Sequence, residues 1–293
     1  MTKSVAAGLQ RGFNSGSGTV SIGEVLRLST EHLAARGSET PRLDAERLLA
    51  KATGLERIEL YMAFDRPLTP AELIAARQLV ARRARREPLQ YVLGEWGFRR
   101  LTLTVDRRAL IPRPETEILV ERALVLVAGL ERPRVLDVGT GSGAVALAIA
   151  DEHPGARVTA TDVSDDALAL AAENVAHTGL AVRLVRHDLF HGLPDGPWDL
   201  VVSNPPYVDP ADLAGLEPEV RDWEPHLALV AVGAVEALVR AALPVLSPGG
   251  ALALEVGDGQ AAGVAASLVD LGYMEVNVTL DLAGRARVVE GRA

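Results

Sequence analysis

A short glycine-rich turn between an apolar strand and an apolar helix constrains the fold of this chain more than any other segment. Residues 135–138 are predicted to form a buried strand, glycines stand at positions 139, 141 and 143, and a helix is predicted to follow over residues 145–150. Glycine lets the backbone turn tightly and lets a ligand approach the main chain. This order of elements predicts an α/β fold whose ligand lies at the carboxyl ends of parallel strands.

Two acidic residues beyond the turn indicate a nucleotide-type cofactor. Asp162 follows a second predicted strand, 23 residues after Gly139, where an acid commonly accepts hydrogen bonds from ribose hydroxyls. Asp188 ends a third strand-like segment and could accept a hydrogen bond from an adenine amino group, although a capping role in a turn is an equally good interpretation. The predicted cofactor-binding residues are Gly139, Thr140, Gly141, Ser142, Gly143, Asp162, Asp188, Leu189 and Asn204.

The spacing of the glycines favours S-adenosylmethionine over a dinucleotide. A G-x-G-x-x-G fingerprint needs its third glycine at position 144, which is Ala144, although alanine is sometimes accepted there. The pattern G-x-G-x-G, which begins at Gly139, suits a ligand that has no pyrophosphate. The sequence also contains no G-x-x-x-x-G-K-[ST] motif, which argues against a phosphate-binding NTPase. We therefore expect S-adenosylmethionine as the cofactor and S-adenosylhomocysteine as its product.

A second motif, Asn204-Pro205-Pro206-Tyr207, follows a predicted buried strand over residues 200–203. The Asn204 side-chain oxygen and the Pro205 carbonyl would form two fixed acceptors, because proline has a fixed φ and no N–H that could compete. Two such acceptors suit the NH2 group of a planar amide or an exocyclic amine, and Tyr207 would pack against the amide plane. An ordinary turn at the end of a strand is the alternative interpretation, since Asn and Pro favour turns in general.

These motifs and several further segments resemble the peptide-chain release factor glutamine methyltransferase family (PrmC/HemK), a family of class I S-adenosylmethionine-dependent methyltransferases. The resemblance extends from about residue 22 to the C-terminus, and its most specific part is Pro-Arg-Pro-Glu-Thr-Glu at positions 112–117. The other matching segments are residues 88–94, 136–143, 203–207, 247–250 and 254–257. The chain departs from the family pattern over residues 230–237, where a glycine-rich stretch with an acid is usual. That departure concerns one wall of the substrate cleft.

The resemblance implies a reaction and a set of site residues. The reaction is methylation of the side-chain amide nitrogen, N5, of the glutamine in the Gly-Gly-Gln motif of a release factor. The predicted catalytic residues are Asn204, Pro205 and Tyr207, and the predicted substrate-binding residues are Asn204, Pro205, Pro206, Tyr207, Arg113 and Glu115. For Arg113 and Glu115 an equally good interpretation is that this segment begins a helix, with proline and acidic residues in the first turn.

The hydrophobic pattern divides the chain into a helical and an α/β part. Residues 1–20 are expected to be a disordered tail, and residues 21–88 are predicted to form a helical domain that docks the substrate, with a helix starting at Thr69-Pro70. Residues 89–114 are predicted to be a hairpin linker, because apolar and polar residues alternate over residues 101–105 within it. Residues 115–293 are predicted to form the methyltransferase domain. The resemblance implies that this domain is a Rossmann-like, seven-stranded sheet with an antiparallel last strand.

Composition and charge narrow the possible partners. The chain has no cysteine, and His187 and His191 lack a helix that would align them, so no metal site is expected. No apolar run of about 18 residues occurs, so we expect no membrane segment and a cytoplasmic location. Residues 1–110 hold 18 Lys and Arg against 12 Asp and Glu, and the remainder holds 12 against 27. An acidic catalytic half suits duplex DNA poorly, so we expect a protein substrate and no direct nucleic-acid binding.

Three alternatives stay open at the level of the sequence. A nucleic-acid amino methyltransferase would use the Asn-Pro-Pro-Tyr motif to hold adenine or guanine. A cofactor-binding module without catalysis would serve as a protein-interaction partner. A related enzyme would methylate a glutamine of a ribosomal protein. The basic cluster at residues 82–86 could contact RNA or an acidic protein, although a solvated helix face is the simpler interpretation.

Overall fold

The computed structural model describes residues 20–293, which divide into two units between Gly94 and Glu95. Residues 1–19, which make up most of the predicted disordered tail, lie outside the described residues. Within the part of the chain that is described, no helix is long and apolar enough to cross a membrane.

The first unit is a helical bundle. Its helices are α1 (Ile22–Ala34), α2 (Pro41–Thr53), α3 (Arg57–Met62), α4 (Pro70–Arg83) and α5 (Leu89–Leu93). Its core is apolar and includes one fully buried leucine from each of the first three helices, Leu26, Leu48 and Leu60. The predicted helix start at Thr69 is confirmed, because the Thr69 hydroxyl accepts the Glu72 backbone N–H while the Glu72 side chain accepts the Thr69 N–H. This reciprocal capping box satisfies two backbone donors that a helix start otherwise leaves unpaired.

The basic cluster at residues 82–86 is not a uniformly solvated face. Arg83 is buried, and its Nε donates to Asp44 Oδ2 at 2.7 Å. Arg82 forms an ion pair with Glu87 in the same unit. The interpretation as a solvated helix face is therefore wrong for Arg83, whereas Arg82 keeps 37% of its side chain exposed while it pairs with Glu87.

The second unit begins with the predicted hairpin. Strands β1 (Glu95–Phe98) and β2 (Leu101–Thr104) pair antiparallel, with Phe98 opposite Leu101. Phe98 and Leu103 are buried in the core of this unit, as the alternation of apolar and polar residues predicts. Residues 89–114, predicted to be a linker, thus contain α5 of the first unit and the hairpin of the second.

After the hairpin, helices and strands alternate. The elements are α6 (Thr116–Val127), β3 (Arg134–Val138), α7 (Ala144–Glu152), β4 (Arg157–Asp162), α8 (Asp165–Thr178), β5 (Val182–Arg186), β6 (Trp198–Ser203), α9 (Pro218–Arg221), α10 (His226–Leu229), α11 (Ala234–Ala242), β7 (Leu246–Glu255), α12 (Ala261–Leu271), β8 (Met274–Leu280) and β9 (Ala286–Arg292). The strand order in the sheet is β5-β4-β3-β6-β7-β9-β8. Strand β9 is antiparallel to both of its neighbours, so the predicted seven-stranded sheet with an antiparallel last strand is confirmed.

Apolar layers cover both faces of this sheet. On β3, Val135 belongs to the core that contains Leu147 of α7, whereas Leu136 belongs to the core that contains Leu238 of α11. Successive residues of a strand point to opposite faces, so a strand buried on both sides is apolar over most of its length. The chain leaves β3 toward β4 on one side, and β6 lies on the other. The carboxyl ends of β3 and β6 therefore form the switch point at which doubly wound sheets bind ligands.

Candidate active site

The two sequence motifs meet at this switch point. Strands β3 and β6 are parallel neighbours, and Val138 lies beside Ser203 in the register. The glycine turn after β3 and Asn204 after β6 consequently leave the sheet at the same edge. A cavity of about 310 Å³ opens there.

Most of the predicted site residues line this cavity. They are Arg113, Gly139, Thr140, Gly141, Ser142, Asp162, Asp188, Leu189, Asn204, Pro205 and Pro206. Three others, Glu115, Gly143 and Tyr207, are not part of its lining. The structure thus assembles both motifs around one space and leaves these three residues beside it.

The glycine turn has a backbone that favours glycine at alternate positions. Gly139, Gly141 and Gly143 have φ values of +72°, +57° and +84°, which L side chains rarely adopt. A Cβ atom on Gly143 would also lie 3.3 Å from Leu147 Cδ1 and 3.4 Å from Ala171 Cβ. Gly143 therefore lets the turn pack closely on its helices, whereas Gly139 and Gly141 face the cavity.

Asp162 supports the turn from the neighbouring strand. Its Oδ2 accepts the Gly141 N–H at 2.9 Å, and its Oδ1 accepts the Ser164 N–H at 2.9 Å. Burial raises the pKa of Asp162, and these backbone donors act in the opposite direction. Each carboxylate oxygen can accept more than one hydrogen bond, so the predicted contact with ribose hydroxyls is compatible with these bonds.

Asp188 caps a turn and faces the cavity at the same time. Its Oδ1 accepts the Phe190 N–H at 2.9 Å at the start of a short 3₁₀ turn, Leu189–His191. This contact is the capping role that the sequence left open. Because Asp188 also lines the cavity, the contact with an adenine amino group stays a prediction that the geometry permits.

A buried acid below the turn holds the turn from the β3 side. Asp137 accepts the Thr140 hydroxyl at 2.7 Å and is almost inaccessible to water. Burial raises the pKa of Asp137 to about 7, while hydrogen bonds from Thr140 and the Ala146 backbone favour its ionised form. The sequence analysis included this position in the strand without giving it a role.

Asn174 of α8 joins the hairpin to the glycine turn, a link that the sequence analysis missed. The side chain is fully buried, and its Nδ2 donates to Ser142 O at 2.9 Å and to Thr104 O at 3.1 Å. Its Oδ1 accepts the Thr104 N–H at 2.7 Å. The sequence contained a signal for this role, because Asn174 follows Leu170 by four residues and Ala171 by three, so that all three lie on one apolar face of the helix. A polar residue on such a face needs partners in the interior.

The Asn-Pro-Pro-Tyr segment is held at three points. Asn204 Nδ2 donates to Thr116 Oγ1 at 3.2 Å, and Tyr207 Oη donates to Glu255 Oε1 at 3.3 Å. Gln260 Nε2 donates to the Tyr207 carbonyl at 2.9 Å. Burial and the neighbouring Glu255 raise the pKa of Tyr207 to about 12, so its phenol is a neutral hydrogen-bond donor. Thr116 and Glu255 lie in segments that carried the family resemblance, but the sequence analysis gave neither of them a role.

Arg113 is paired within the protein. Its Nη2 donates to Glu224 Oε1 at 2.7 Å and to Oε2 at 2.8 Å, and Glu224 is buried. Burial raises the pKa of Glu224, and Arg113 opposes that shift. The ion pair ties the segment before α6 to the segment after Tyr207. Arg113 still lines the cavity, so its role in substrate binding stays a prediction.

The segment that departs from the family pattern forms part of the cavity wall. Ala231 and Ala234 line the cavity together with Leu227 and Ala228. These side chains are apolar and mostly small, so this wall offers no side-chain charge to a ligand. Among residues 20–293, including those around the cavity, no group of three or more His, Asp or Glu side chains is arranged to hold a metal ion.

Comparisons with known proteins agree with this architecture. Residues 24–94 match the model of the PrmC N-terminal domain, and residues 115–215 match that of the methyltransferase small domain. The release factor glutamine methyltransferase of Geobacter sulfurreducens is 44% identical over 275 residues, covering 92% of this chain and 96% of the relative. That of Deinococcus radiodurans is 44% identical over 273 residues, covering 92% and 97%.

Among solved structures, the hMettl16 catalytic domain superposes with a TM-score of 0.56 at 19% identity, covering 73% of this chain and 81% of that domain. At that identity the likeness shows the methyltransferase fold alone. The two curated relatives show more, because each is 44% identical over 92% of this chain, which extends through both units. The chain belongs to the release factor glutamine methyltransferase family.

Proposed function

We propose that this chain transfers a methyl group from S-adenosylmethionine to N5 of the glutamine in the Gly-Gly-Gln motif of a peptide-chain release factor. The observation that carries the proposal is the position of Asn204, whose amide lies beside the glycine turn at the edge of one cavity. Its Nδ2 donates to Thr116, and this bond does not use the acceptor oxygen. The names of the curated relatives support the same reaction.

The residues around the cavity fit the proposed cofactor. Gly139 and Gly141 have no side chain that would keep a ligand from the main chain, and Asp162 and Asp188 supply carboxylate acceptors for hydroxyl and amino groups. We assign the cofactor to these residues together with Thr140, Ser142 and Leu189. When bound, S-adenosylmethionine supplies an electrophilic methyl group on its sulfonium.

The chain contributes orientation to the reaction. An amide nitrogen is a weak nucleophile, because its lone pair is delocalised into the carbonyl group. Asn204 Oδ1 and the Pro205 carbonyl accept the two N–H groups of the substrate amide and direct the nitrogen lone pair, and Tyr207 supports this segment from its side. Neither acceptor would remove a proton before the attack. The S–CH3 bond of the cofactor would break as the N–C bond forms, and the methylated nitrogen would then lose its extra proton to solvent. Alignment of reactants can contribute roughly 7–11 kcal/mol in favourable cases.

The cavity wall and the charge distribution fit a protein substrate. In this proposal the apolar wall at Leu227, Ala228 and Ala231 packs against the substrate and reduces the contact of the reacting amide with water. We assign the docking of the remainder of the release factor to the helical unit, where residues 20–94 hold 12 Lys and Arg against 10 Asp and Glu. This small net positive charge suits an acidic partner, because complementary charge steers association. In this proposal the protein acts in the cytoplasm and makes no direct contact with nucleic acid.

Replacement of Asn204 by Ala tests the assignment of this side chain. We expect kcat to fall on the order of 100-fold, because the loss of one preorganised hydrogen-bonding group at a reacting centre has effects of about this size. The affinity for S-adenosylmethionine, measured by calorimetry, should change by less than about threefold, because the glycine turn stays intact. Asn277→Ala, at an exposed asparagine of β8, is the matched control and should behave like the wild type. Comparable kcat values for Asn204→Ala and the wild type would refute the assignment.

The substrate is tested by incubation with labelled S-adenosylmethionine and a purified release factor. A variant of that factor with Gln→Ala in its Gly-Gly-Gln motif is the control. Label on the unmodified factor alone would support the reaction, the substrate and the target residue together. Label on ribosomal proteins or on nucleic acid, with none on the release factor, would refute the proposed substrate and favour one of the alternatives.

A further inference from the structure

The contacts behind Asn204 suggest a role for two residues to which the sequence motifs assigned none. We propose that Thr116 and Glu255 are positioning residues, which fix the orientation of the Asn204 amide so that its oxygen is presented to the substrate. The inference rests on the proposed function, because it concerns how the same site holds the substrate amide. It concerns side chains on α6 and at the end of β7, which are brought behind Asn204 by the fold.

The hydrogen bond between Asn204 and Thr116 can fix which way the Asn204 amide faces. An asparagine amide can rotate so that its oxygen and its NH2 group exchange places, and only one of these orientations supplies an acceptor to the substrate. Asn204 Nδ2 donates to Thr116 Oγ1 at 3.2 Å, and Thr116 is buried. A hydroxyl has one proton and can also accept. The orientation of the amide is therefore fixed only if the Thr116 proton is directed to another acceptor.

In the proposal, Glu255 is that acceptor. It lies at the end of β7 and is buried, and the Thr116 hydroxyl lowers the pKa of its carboxyl, as a nearby donor does. Its Oε1 accepts the Tyr207 hydroxyl at 3.3 Å. Its Oε2 is buried and has no well-formed hydrogen bond within the described residues, so acceptor capacity is left for the Thr116 proton. Once that proton points to Glu255, Thr116 can only accept from Asn204.

The surroundings of Glu255 act on the pKa of its carboxyl in both directions. Burial raises the pKa of Glu255, while the hydroxyls of Thr116 and Tyr207 and the charge of Arg287 lower it. The nearby Glu115 acts in the same direction as burial. The Tyr207 hydroxyl donates to this carboxylate, and in the proposal the Thr116 hydroxyl donates to its other oxygen. This arrangement couples the Asn204 amide and the Tyr207 ring to the same carboxylate.

The arrangement has a direct chemical consequence. If the Asn204 amide were rotated, its NH2 group would face the NH2 group of the substrate, and neither could accept a hydrogen bond. The substrate amide would then lose one of the two acceptors that direct its lone pair. A loss of Thr116 should therefore affect the chemical step and leave the glycine turn and the cofactor contacts unchanged.

Thr116→Val tests this directly, because valine keeps the shape of the side chain and removes the hydroxyl. We expect kcat to fall about tenfold, the equivalent of one neutral hydrogen bond of about 1.4 kcal/mol. The dissociation constant of S-adenosylmethionine should stay within about twofold of the wild-type value, and Thr116→Ser should restore most of kcat, because serine keeps the hydroxyl. Thr178→Val makes the same change near the end of α8, where the hydroxyl donates to Asn174 O, and should leave kcat unchanged.

Glu255→Gln tests the second link. We expect it to lower kcat about tenfold. The Thr116→Val/Glu255→Gln double variant should be only slightly slower than Thr116→Val, because the effects of substitutions within one hydrogen-bond network are not additive. Glu290→Gln is the control for a buried acid, because Glu290 is paired with Arg122 away from the cavity. It should reduce stability without changing kcat. Cofactor binding by each variant shows whether the site is folded. If Thr116→Val does not bind the cofactor, the kcat values of Thr116→Ser and Glu255→Gln decide the outcome.

Several outcomes would overturn the inference. The first two are a wild-type kcat for Thr116→Val and a Thr116→Ser variant that is as slow as Thr116→Val. The others are a wild-type kcat for Glu255→Gln and a double variant whose loss of kcat equals the product of the two single losses. In each of these cases an active wild type leaves the proposed function intact. A wild-type protein that binds the cofactor but does not methylate a release factor would overturn the proposed function and this inference together.

Discussion

Replacement of Asn174 by Ala should separate the glycine turn from the hairpin that packs beside it. The substitution removes the buried amide that bonds to three backbone groups, namely Ser142 O, Thr104 O and Thr104 N–H. Ser142 is buried and Thr104 is half-buried. We therefore expect the Ser142 carbonyl to lose its side-chain partner in the interior, while water can reach the two groups of Thr104.

The magnitude follows from these three groups. A buried polar group without a partner costs about 1–3 kcal/mol, and half-buried groups that regain water cost less. We therefore expect the free energy of unfolding of the second unit to fall by about 2–4 kcal/mol. The affinity for S-adenosylmethionine should fall as well, because the apparent dissociation constant rises as the fraction of molecules with an ordered turn decreases.

Tryptophan fluorescence gives a selective assay. All three tryptophans, Trp96, Trp198 and Trp223, lie in the second unit, so urea unfolding followed by fluorescence reports that unit separately from the helical bundle. His177→Ala, at an exposed position of the same helix, is the control and should stay within about 0.5 kcal/mol of the wild type. A loss below about 1 kcal/mol for Asn174→Ala, with unchanged cofactor affinity, would refute the reasoning. It would mean that Ser142 finds another partner at little cost.

Two further predictions concern the turn and the tyrosine. A Cβ atom on Gly257 would lie 3.0 Å from Tyr207 Cδ2 and 3.0 Å from Gln260 Oε1. Gly257→Ala should therefore displace Tyr207 and lower kcat in steady-state assays. Gly263→Ala, where no atom lies within 4 Å of the added Cβ, should leave kcat unchanged. Because burial raises the pKa of Asp137 from 3.8 to about 7, its contribution to stability is present at low pH and lost as the pH rises through about 7. Asp137→Asn should flatten this dependence in urea unfolding between about pH 5 and 8, and an unchanged slope would contradict the assignment.

The sequence predicted the elements whose causes are local. The start of α4 follows from the caps at Thr69 and Pro70, and the turn after β3 follows from glycines at alternate positions. The basic cluster at residues 82–86 shows where local reasoning ends. Arg83 is neutralised by Asp44, 39 residues earlier in the chain, and helical periodicity carries no information about that pairing.

The sequence by itself determined which chemical groups the site could contain, because the two motifs and the strands before them place glycines, acids and an amide at one edge of the sheet. Only the tertiary structure decided which side chains hold these groups in place. Thr116 meets Asn204 across 88 residues of sequence, and Arg113 meets Glu224 across 111. The physical reason is that side-chain hydrogen bonds depend on the packing of helices against the sheet, which a local pattern of apolar and polar residues does not specify.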